Sequence, residues 1–448
     1  MKVLKVIHGY PPRFYAGSEI YSQTLCQALA QRHAVEVFTR AENPFMMDYE
    51  TWTEQDPTDH RIKLNLINLP LEKHRYRYSN AEVDFAFKKV VDHFNPDIVH
   101  IGHLNHLSLT LVNQLPPNLP VVYTLHYYWL LCPRGQFIRR HSDQSSKELW
   151  PLCKKQIDKD CAIYCYQGYF SGLTSSFEDD AAYWSKWVKQ RKECIKQVIS
   201  RTTCFLCPSM YLLNKFKNEG IPAEKLQYLD YGFDLTTLRC KAKTSDAIIT
   251  FGYIGTHIPA KGIDLLIKAF AKVKAYCKLK IWGNPRAQNT SGLKELVKLM
   301  PPSIQHRIEW LSEYDNRQIT SVFESIDAIV VPSIWEENSP LVIHEALQAR
   351  IPIITADVGG MSEYVQHEIN GLLFKHRDMD DLASKMEFLI MNPKFANCIA
   401  KRGYIASKTG DIPSIDDHVQ EIEKIYNQAL EQIKENYEKQ TRILENNL

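Results

Sequence analysis

The chain has 448 residues, 44% of them hydrophobic and 24% charged, with a formal net charge of +2. This is an ordinary globular composition, long enough for two or three domains, and its near-neutral balance excludes bulk nucleic-acid binding. Eleven cysteines in a chain this long do not read as a disulfide framework, and no apolar run approaches a membrane span. The opening MKVLKVIHGYPPRF has no apolar core of a signal peptide. The expectation is a cytoplasmic protein with reduced thiols, free or bound to metal.

Val3 to His8 reads as a strand, broken by Gly9-Tyr10-Pro11-Pro12. The loop Ala16-Gly17-Ser18-Glu19 leads into a helix expected from about Glu19 to Arg32. Ile20, Thr24, Leu25, Ala28 and Leu29 share one face of it. Val35 to Thr39 is the next strand, which makes a βαβ unit with a parallel sheet. Gly17 suits a close backbone approach to a ligand at a carboxyl strand end; a plain tight turn fits equally well. Asp97–Ile101 and Val121–Leu125 are two more buried strands. The second ends at His126, which suits hydrogen bonding to a hydroxyl or acid–base work, or packing against Tyr127, Tyr128 and Trp129. Thr203–Cys207 is a later strand, and Pro208-Ser209 opens the following helix.

Between about Leu130 and Ala182 the regular alternation lapses. This reads as an insertion at the ligand edge of the sheet, with Cys132, Cys153, Cys161 and Cys165. Four cysteines suit a zinc or iron–sulfur site, but the spacing meets no complete metal signature, and ordinary thiols are the leading reading. The polar stretch from Leu235 to Ala247 reads as an interdomain linker.

A second βα series follows. Ile248–Ile254 is a strand, Gly255–Ala260 a loop, and Lys261-Gly262-Ile263-Asp264 starts a helix through Lys274. A lysine and a glycine at a helix start suit phosphate binding; a solvated lysine is the alternative. Leu279–Trp282 is a short strand. Asp327–Val331 is apolar and β-branched, a buried strand. After it comes Glu337-Asn338-Ser339-Pro340-Leu341-Val342-Ile343-His344-Glu345. Ser339 is expected as N-cap and Pro340 as the first helical residue. Glu337 then lies beside the helix start and Glu345 more than a turn inside. An acid on each side of an anion site suits a ligand with a diphosphate in the middle and hydroxyls at both ends, such as a nucleotide sugar. Two acids paired with nearby lysines is the plainer reading. Ile353–Ala356, the turn Val358-Gly359-Gly360, a helix from about Ser362 and the turn Asn370-Gly371 follow. From about Ser414 the pattern is one long charged helix with Val419, Ile422, Ile425 and Tyr426 as its apolar stripe.

The pieces HGYPP…AGSE, PDIVHIGH, VYTLHYYWLLCPRG, FGYIGTHIPAKGIDLLIKAF, PSIWEENSPLVIHEA and VGGMSEYVQHEINGLLF occur in the order seen in glycosyltransferase family 4. The chain resembles that large retaining family through most of its length. The resemblance implies an α/β fold of the GT-B type: two Rossmann-like domains facing across a cleft, with the final helix crossing back to the first. The expected division is an acceptor domain of residues 1–236 with 415–448 packing back on it, and a nucleotide-sugar donor domain of residues 237–414. It also implies donor contacts from Gly17, Gly255, Thr256, Lys261, Glu337, Asn338, Ser339, Pro340, Leu341, Val342 and Glu345. Lys261 would meet the diphosphate, Glu345 the ribose hydroxyls, and Glu337 a hydroxyl of the transferred sugar. His126 would reach the donor sugar and Gly17 the leaving phosphate. His126, Glu337 and Lys261 are the expected catalytic residues.

Three positions depart from the family pattern. Thr256 stands where an arginine is frequent, so the diphosphate would lean more on Lys261 and helix amides. Tyr127 follows the histidine in place of aspartate, and Ala16-Gly17 replaces a glycine pair. The expected reaction moves a sugar from a nucleoside diphosphate to an acceptor hydroxyl with retention, by a front-face path without a metal or other cofactor. The acceptor would be a glycan or a lipid-linked acceptor. The basic, aromatic stretches Lys73–Arg77 and Arg134–His141 suit a membrane surface, with peripheral attachment to its inner face, and suit plain solvent as well. A nicotinamide dehydrogenase would want Gly-x-Gly-x-x-Gly at the first turn, which is absent. A catalytically silent sugar-nucleotide-binding or scaffold protein on the same fold is the remaining alternative.

Overall fold

The structure is a computed structural model describing residues 1–70, 78–140, 150–170, 176–236, 238, 248–283, 290–314 and 318–445. The stretch Lys73–Arg77, His141 and nearly all of the linker 235–247 lie outside the described residues. Two compact units are present, Met1–Phe233 with Pro413–Leu448, and Asp234–Ile412.

The first unit holds an eight-stranded sheet of β1 (Lys2–Val6), β2 (Ala34–Ala41), β3 (Thr51–Asp56), β4 (Asp59–Asn68), β5 (Ile98–Ile101), β6 (Val121–Thr124), β7 (Cys204–Cys207) and β8 (Leu226–Tyr228). Its order is β3-β4-β2-β1-β5-β6-β7-β8. The pairings are parallel except the β3–β4 hairpin. Its helices are α1 (Gly17–Leu29), α2 (Ala81–Phe94), α3 (Asp158–Tyr166), α4 (Phe177–Arg201) and α5 (Met210–Asn218). Parallel strands need crossovers, and helices on both faces bury them, which is why Val3, Leu4, Val6, Ile98, Val99 and Ile101 are fully buried. Local signals set the helix starts. The Asn80 side chain accepts from the amides of Glu82 and Val83 at the start of α2, and Ser209 accepts from Leu212 at the start of α5.

The insertion is more regular than the sequence suggests. It contains α3 and the first turn of α4. Cys161 and Cys165 pack on α3 with Tyr166, Trp184 and Trp187, and Tyr166 stacks on Trp184 with ring centroids 5.1 Å apart. Burial raises both thiols, Cys165 to about 11, so they are neutral packing groups. Among the described residues no group of three or more His, Cys, Asp or Glu is arranged to hold a metal ion, Cys132 and Cys153 included.

The second unit holds six parallel strands: β9 (Thr250–Ile254), β10 (Lys278–Trp282), β11 (Ile308–Leu311), β12 (Ala328–Val331), β13 (Ile353–Ala356) and β14 (Leu372–Phe374). Their order is β11-β10-β9-β12-β13-β14. Its helices are α6 (Ile263–Lys272), α7 (Thr290–Lys298), α8 (Pro302–Gln305), α9 (Ile319–Glu324), α10 (Leu341–Ala349), α11 (Met361–Tyr364), α12 (Met379–Met391) and α13 (Pro393–Arg402). The chain then returns to the first unit as α14 (Ile415–Glu445). Ser414 caps α14 by accepting from the Asp417 amide, and Val419, Ile422, Ile425 and Tyr426 are buried. The fold is α/β with two Rossmann-like sheets.

Each sheet reverses its strand order once. The reversal lies between β1 and β5 in the first unit and between β9 and β12 in the second. In such sheets a ligand crevice forms at the carboxyl ends of those strands. Among the described helices none is long and apolar enough to cross a membrane.

Candidate functional site

In the second unit the loops leaving β9, β12 and β13 meet around residues 333–337. β12 is entirely buried, and its loop is tied down by backbone bonds. Ile334 N donates to Ala260 O at 2.9 Å, and Gly360 N donates to Glu337 O at 2.7 Å. The Glu337 carboxylate is 5% exposed. One of its oxygens accepts from Lys261 Nζ and from Ser333 Oγ, both at 2.6 Å. Lys261 therefore lies on Glu337, with its ammonium also 5.9 Å from the centre of the Trp335 ring. Two glycines make this approach possible. Gly262 has φ of 68° and Gly359 φ of 64°, and a Cβ would collide with the Pro332 carbonyl at the first and with the Glu337 backbone at the second.

The helix starts differ from expectation by a residue or two. Pro340, not Ser339, is the N-cap of α10; its ψ of 119° is extended, and Leu341 is the first helical residue. The Lys261 turn is a separate 3-10 turn, Pro259–Lys261, and α6 opens after Gly262. Proline before a helix still leaves no side-chain cap at α10. The amides of the first turn, at Leu341 and Val342, face no capping side chain, and Ser339 Oγ is buried without a hydrogen-bond partner among the described residues. Asn338 is buried beside them. Gly255 and Thr256 lie on the β9 loop, where the Thr256 carbonyl accepts from Tyr253 Oη at 2.9 Å.

Glu345 sits one turn inside α10, half-buried. Burial pushes its carboxyl up to about 7, and nearby His344 pulls it back in part. A carboxyl poised there takes or gives a proton when a polar ligand arrives. Ser333 and Tyr253 went unsingled by the sequence, and Gly359 figured there only as part of a turn. Only the short Pro-Ser pair before the acidic stretch hints at Ser333.

In the first unit, His126 lies two residues past the end of β6 and is buried. Its Nδ1 lies 2.7 Å from Tyr231 Oη, and its ring stacks on Tyr231. Burial, Lys5 and His8 hold the imidazole well below its ordinary pKa, so it is neutral near pH 7. It touches Tyr21 and Tyr231, and the neighbouring His103 ring lies 4.6 Å from Tyr127 and 5.2 Å from Trp129. Gly17 is the exposed first residue of α1, earlier than the helix start expected at Glu19. Glu19 was read only as a helix residue; its carboxylate lies 3.3 Å from His8 Nε2 and accepts from Ser18 Oγ at 2.7 Å.

Two family models match the chain, one described as Glycosyltransferase Family 4 over residues 15–237 and one as Glycosyl transferases group 1 over residues 239–406. The chain belongs to glycosyltransferase family 4. A Klebsiella pneumoniae protein, described as an uncharacterized 42.6 kDa protein in the cps region, is 23% identical across 81% of this chain and 87% of its own length. An uncharacterized glycosyltransferase of Methanocaldococcus jannaschii is 28% identical, but the match spans only 29% of this chain and 33% of that protein. Among solved structures, Anabaena HepE in complex with UDP and glucose is similar with a TM-score of 0.63 at 17% identity, covering 96% of this chain and all of that one. The two chains thus share a fold over nearly their whole length.

Proposed function

We propose that this protein is a retaining glycosyltransferase that moves a sugar from a nucleoside diphosphate to an acceptor hydroxyl, in making a polysaccharide, glycolipid or other glycoconjugate. The observation that carries the reading is the α10 entry. An uncapped helix start, a buried serine hydroxyl and a lysine flank one acid, and a second acid titrating near neutrality lies a turn deeper.

Glu345 accepts hydrogen bonds from the ribose hydroxyls. The amides of Leu341 and Val342, with Ser339, receive the diphosphate. Lys261 exchanges the Glu337 carboxylate for the diphosphate when the donor arrives. Glu337 then accepts from a hydroxyl of the transferred sugar. In the first unit, His126, held neutral, is the group offered for hydrogen bonding to a sugar hydroxyl, and Gly17 offers a close backbone approach. The anomeric C–O bond to the diphosphate lengthens, the departing phosphate oxygen takes the acceptor proton, and the new C–O bond forms on the same face. Lys261 and the α10 amides stabilise the growing phosphate charge, so no metal is required. A uridine nucleotide is the first donor to try, since HepE is described with UDP-glucose. The acceptor is a glycan or a lipid-linked molecule, and a lipid-linked one would hold the protein peripherally at a membrane.

The test is hydrolysis of a panel of UDP-, GDP- and ADP-sugars by the purified chain. Slow release of one nucleotide, abolished in Lys261→Met, supports the reading. No release from any sugar, with no nucleoside diphosphate raising the melting temperature, would leave a silent fold relative as the better description.

A further inference from the structure

Arg377 follows β14 in a loop that the functional reading does not use. Its φ is 65°, a conformation that a glycine adopts freely and an arginine does not. A strained residue of this kind persists where its side chain is held. Here the guanidinium donates through both Nε and Nη2 to one acceptor, the carbonyl oxygen of Ile334, at 3.0 and 2.9 Å. Two N–H groups of a rigid planar fork on one carbonyl make a directional anchor.

Ile334 is the residue that stitches the site together. Its amide donates to Ala260 O, next to Lys261. Its neighbour Trp335 lies under the Lys261 ammonium, and the Trp335 carbonyl accepts from Glu337 N at 2.9 Å. Ile334 thus has the β9 loop on its amide and the β14 loop on its carbonyl. Remove the guanidinium, and the carbonyl side of the segment that carries Glu337 loses that hold. The next residue, Asp378, caps α12 by accepting from the amides of Asp380 and Asp381, so the loop bearing Arg377 is itself fixed to a helix.

We propose that Arg377 is a positioning residue for the donor site: it holds the 333–337 segment so that Glu337 and Lys261 stand ready for the nucleoside diphosphate. It touches neither substrate nor reacting atoms. This rests on the donor reading above, and the experiment separates the two.

The wild-type chain, Arg377→Gly and Arg377→Ala are compared. The glycine variant relieves the left-handed backbone while removing the guanidinium, so it should melt at or above the alanine variant and controls for folding. Amide exchange in the ligand-free protein is read over residues 333–340, and UDP, ADP and GDP affinities are measured by calorimetry. Expected are at least fivefold faster exchange across 333–340 in both variants and at least fivefold weaker binding of whichever nucleotide the wild type takes. Exchange within twofold of wild type would overturn the anchor. Faster exchange with nucleotide affinity unchanged would overturn the positioning role and leave Arg377 a loop-packing residue. A wild type that binds none of the three nucleotides would overturn the donor reading, while the exchange data still decide whether Arg377 holds the loop.

Discussion

At the scale of single residues, Glu345 is the group whose charge can be followed. Its carboxyl sits near 7 because burial penalises the charged form. Hydrogen bonds from a ribose diol favour the charged form, so the pKa should fall when a nucleotide binds. Below about pH 7 binding therefore has to expel a proton, and affinity should drop by up to about tenfold per pH unit. Calorimetry in buffers of different ionisation heats at pH 6.5 reads the released proton directly. The nucleotide's own phosphate also titrates there, so the decisive quantity is the difference from Glu345→Gln. Equal proton release by the two proteins would remove Glu345 from the site. Gly359 gives a stability test. Its φ is positive, and a Cβ would strike the Glu337 backbone. Gly359→Ala should cost about 1–3 kcal/mol in urea unfolding; a cost under about 0.5 kcal/mol would mean that the loop yields easily. The residues that set this environment were only partly legible. Glu337, Glu345 and Lys261 stood out because acids and a lysine at strand ends and helix starts are chemically pointed. Ser333 and Arg377 did not, because a serine or an arginine in a loop looks the same in sequence whether it holds a neighbour or faces water.

At the scale of elements, α14 is held by buried polar contacts as well as by its apolar stripe. Tyr426 Oη lies 2.6 Å from His100 Nδ1, and His418 Nε2 lies 2.8 Å from Tyr21 Oη. His100 and His418 are both buried, and burial is the main cause holding each imidazole down, His418 to about 4, against a partial pull upward on His418 from Asp230. A histidine whose folded pKa lies below its unfolded value adds nothing above about pH 6.5 and costs stability as pH falls. His418 alone should cost roughly 3 kcal/mol between pH 6.5 and 4. Unfolding of wild type and His418→Gln at pH 7 and 5 checks this: the wild type should lose more stability on acidification than the variant. Parallel slopes would place the acid sensitivity elsewhere. This helix was plain in the sequence because Val419, Ile422, Ile425 and Tyr426 recur at helical spacing within a long charged stretch. The hairpin β3–β4 was not, since Thr51–Asp56 alternates exposed and half-buried residues at a sheet edge and carries charges that read as loop. The α10 start was legible to within one residue. Its error came from placing proline inside the helix when its extended ψ puts it at the cap.

At the scale of the whole molecule, the sequence announced two βα series with a polar stretch between them, and parallel sheets in each follow from that alternation. The strand orders were not announced. They depend on which crossovers pass to which side, a matter of packing between elements distant in sequence. The reversals lie beside β1 and β9; Gly17, at the start of α1, follows the first of these strands, and Lys261, in the turn before α6, follows the second. The central claim is that the second unit's α10 entry is the nucleoside diphosphate site. Calorimetric titration of the wild-type chain, Glu345→Gln and Glu337→Gln with UDP, ADP and GDP tests it most directly. Losing a charged acceptor for the ribose should cost about 1.5–3 kcal/mol, roughly ten- to a hundredfold in affinity. Glu345→Gln should therefore bind the preferred nucleotide that much more weakly. Glu337→Gln should bind it as tightly as wild type or more so, since Lys261 is released from its carboxylate, while turnover of the full donor falls. Equal weakening in both variants would contradict the division of roles, and wild-type affinity in Glu345→Gln would contradict the site itself.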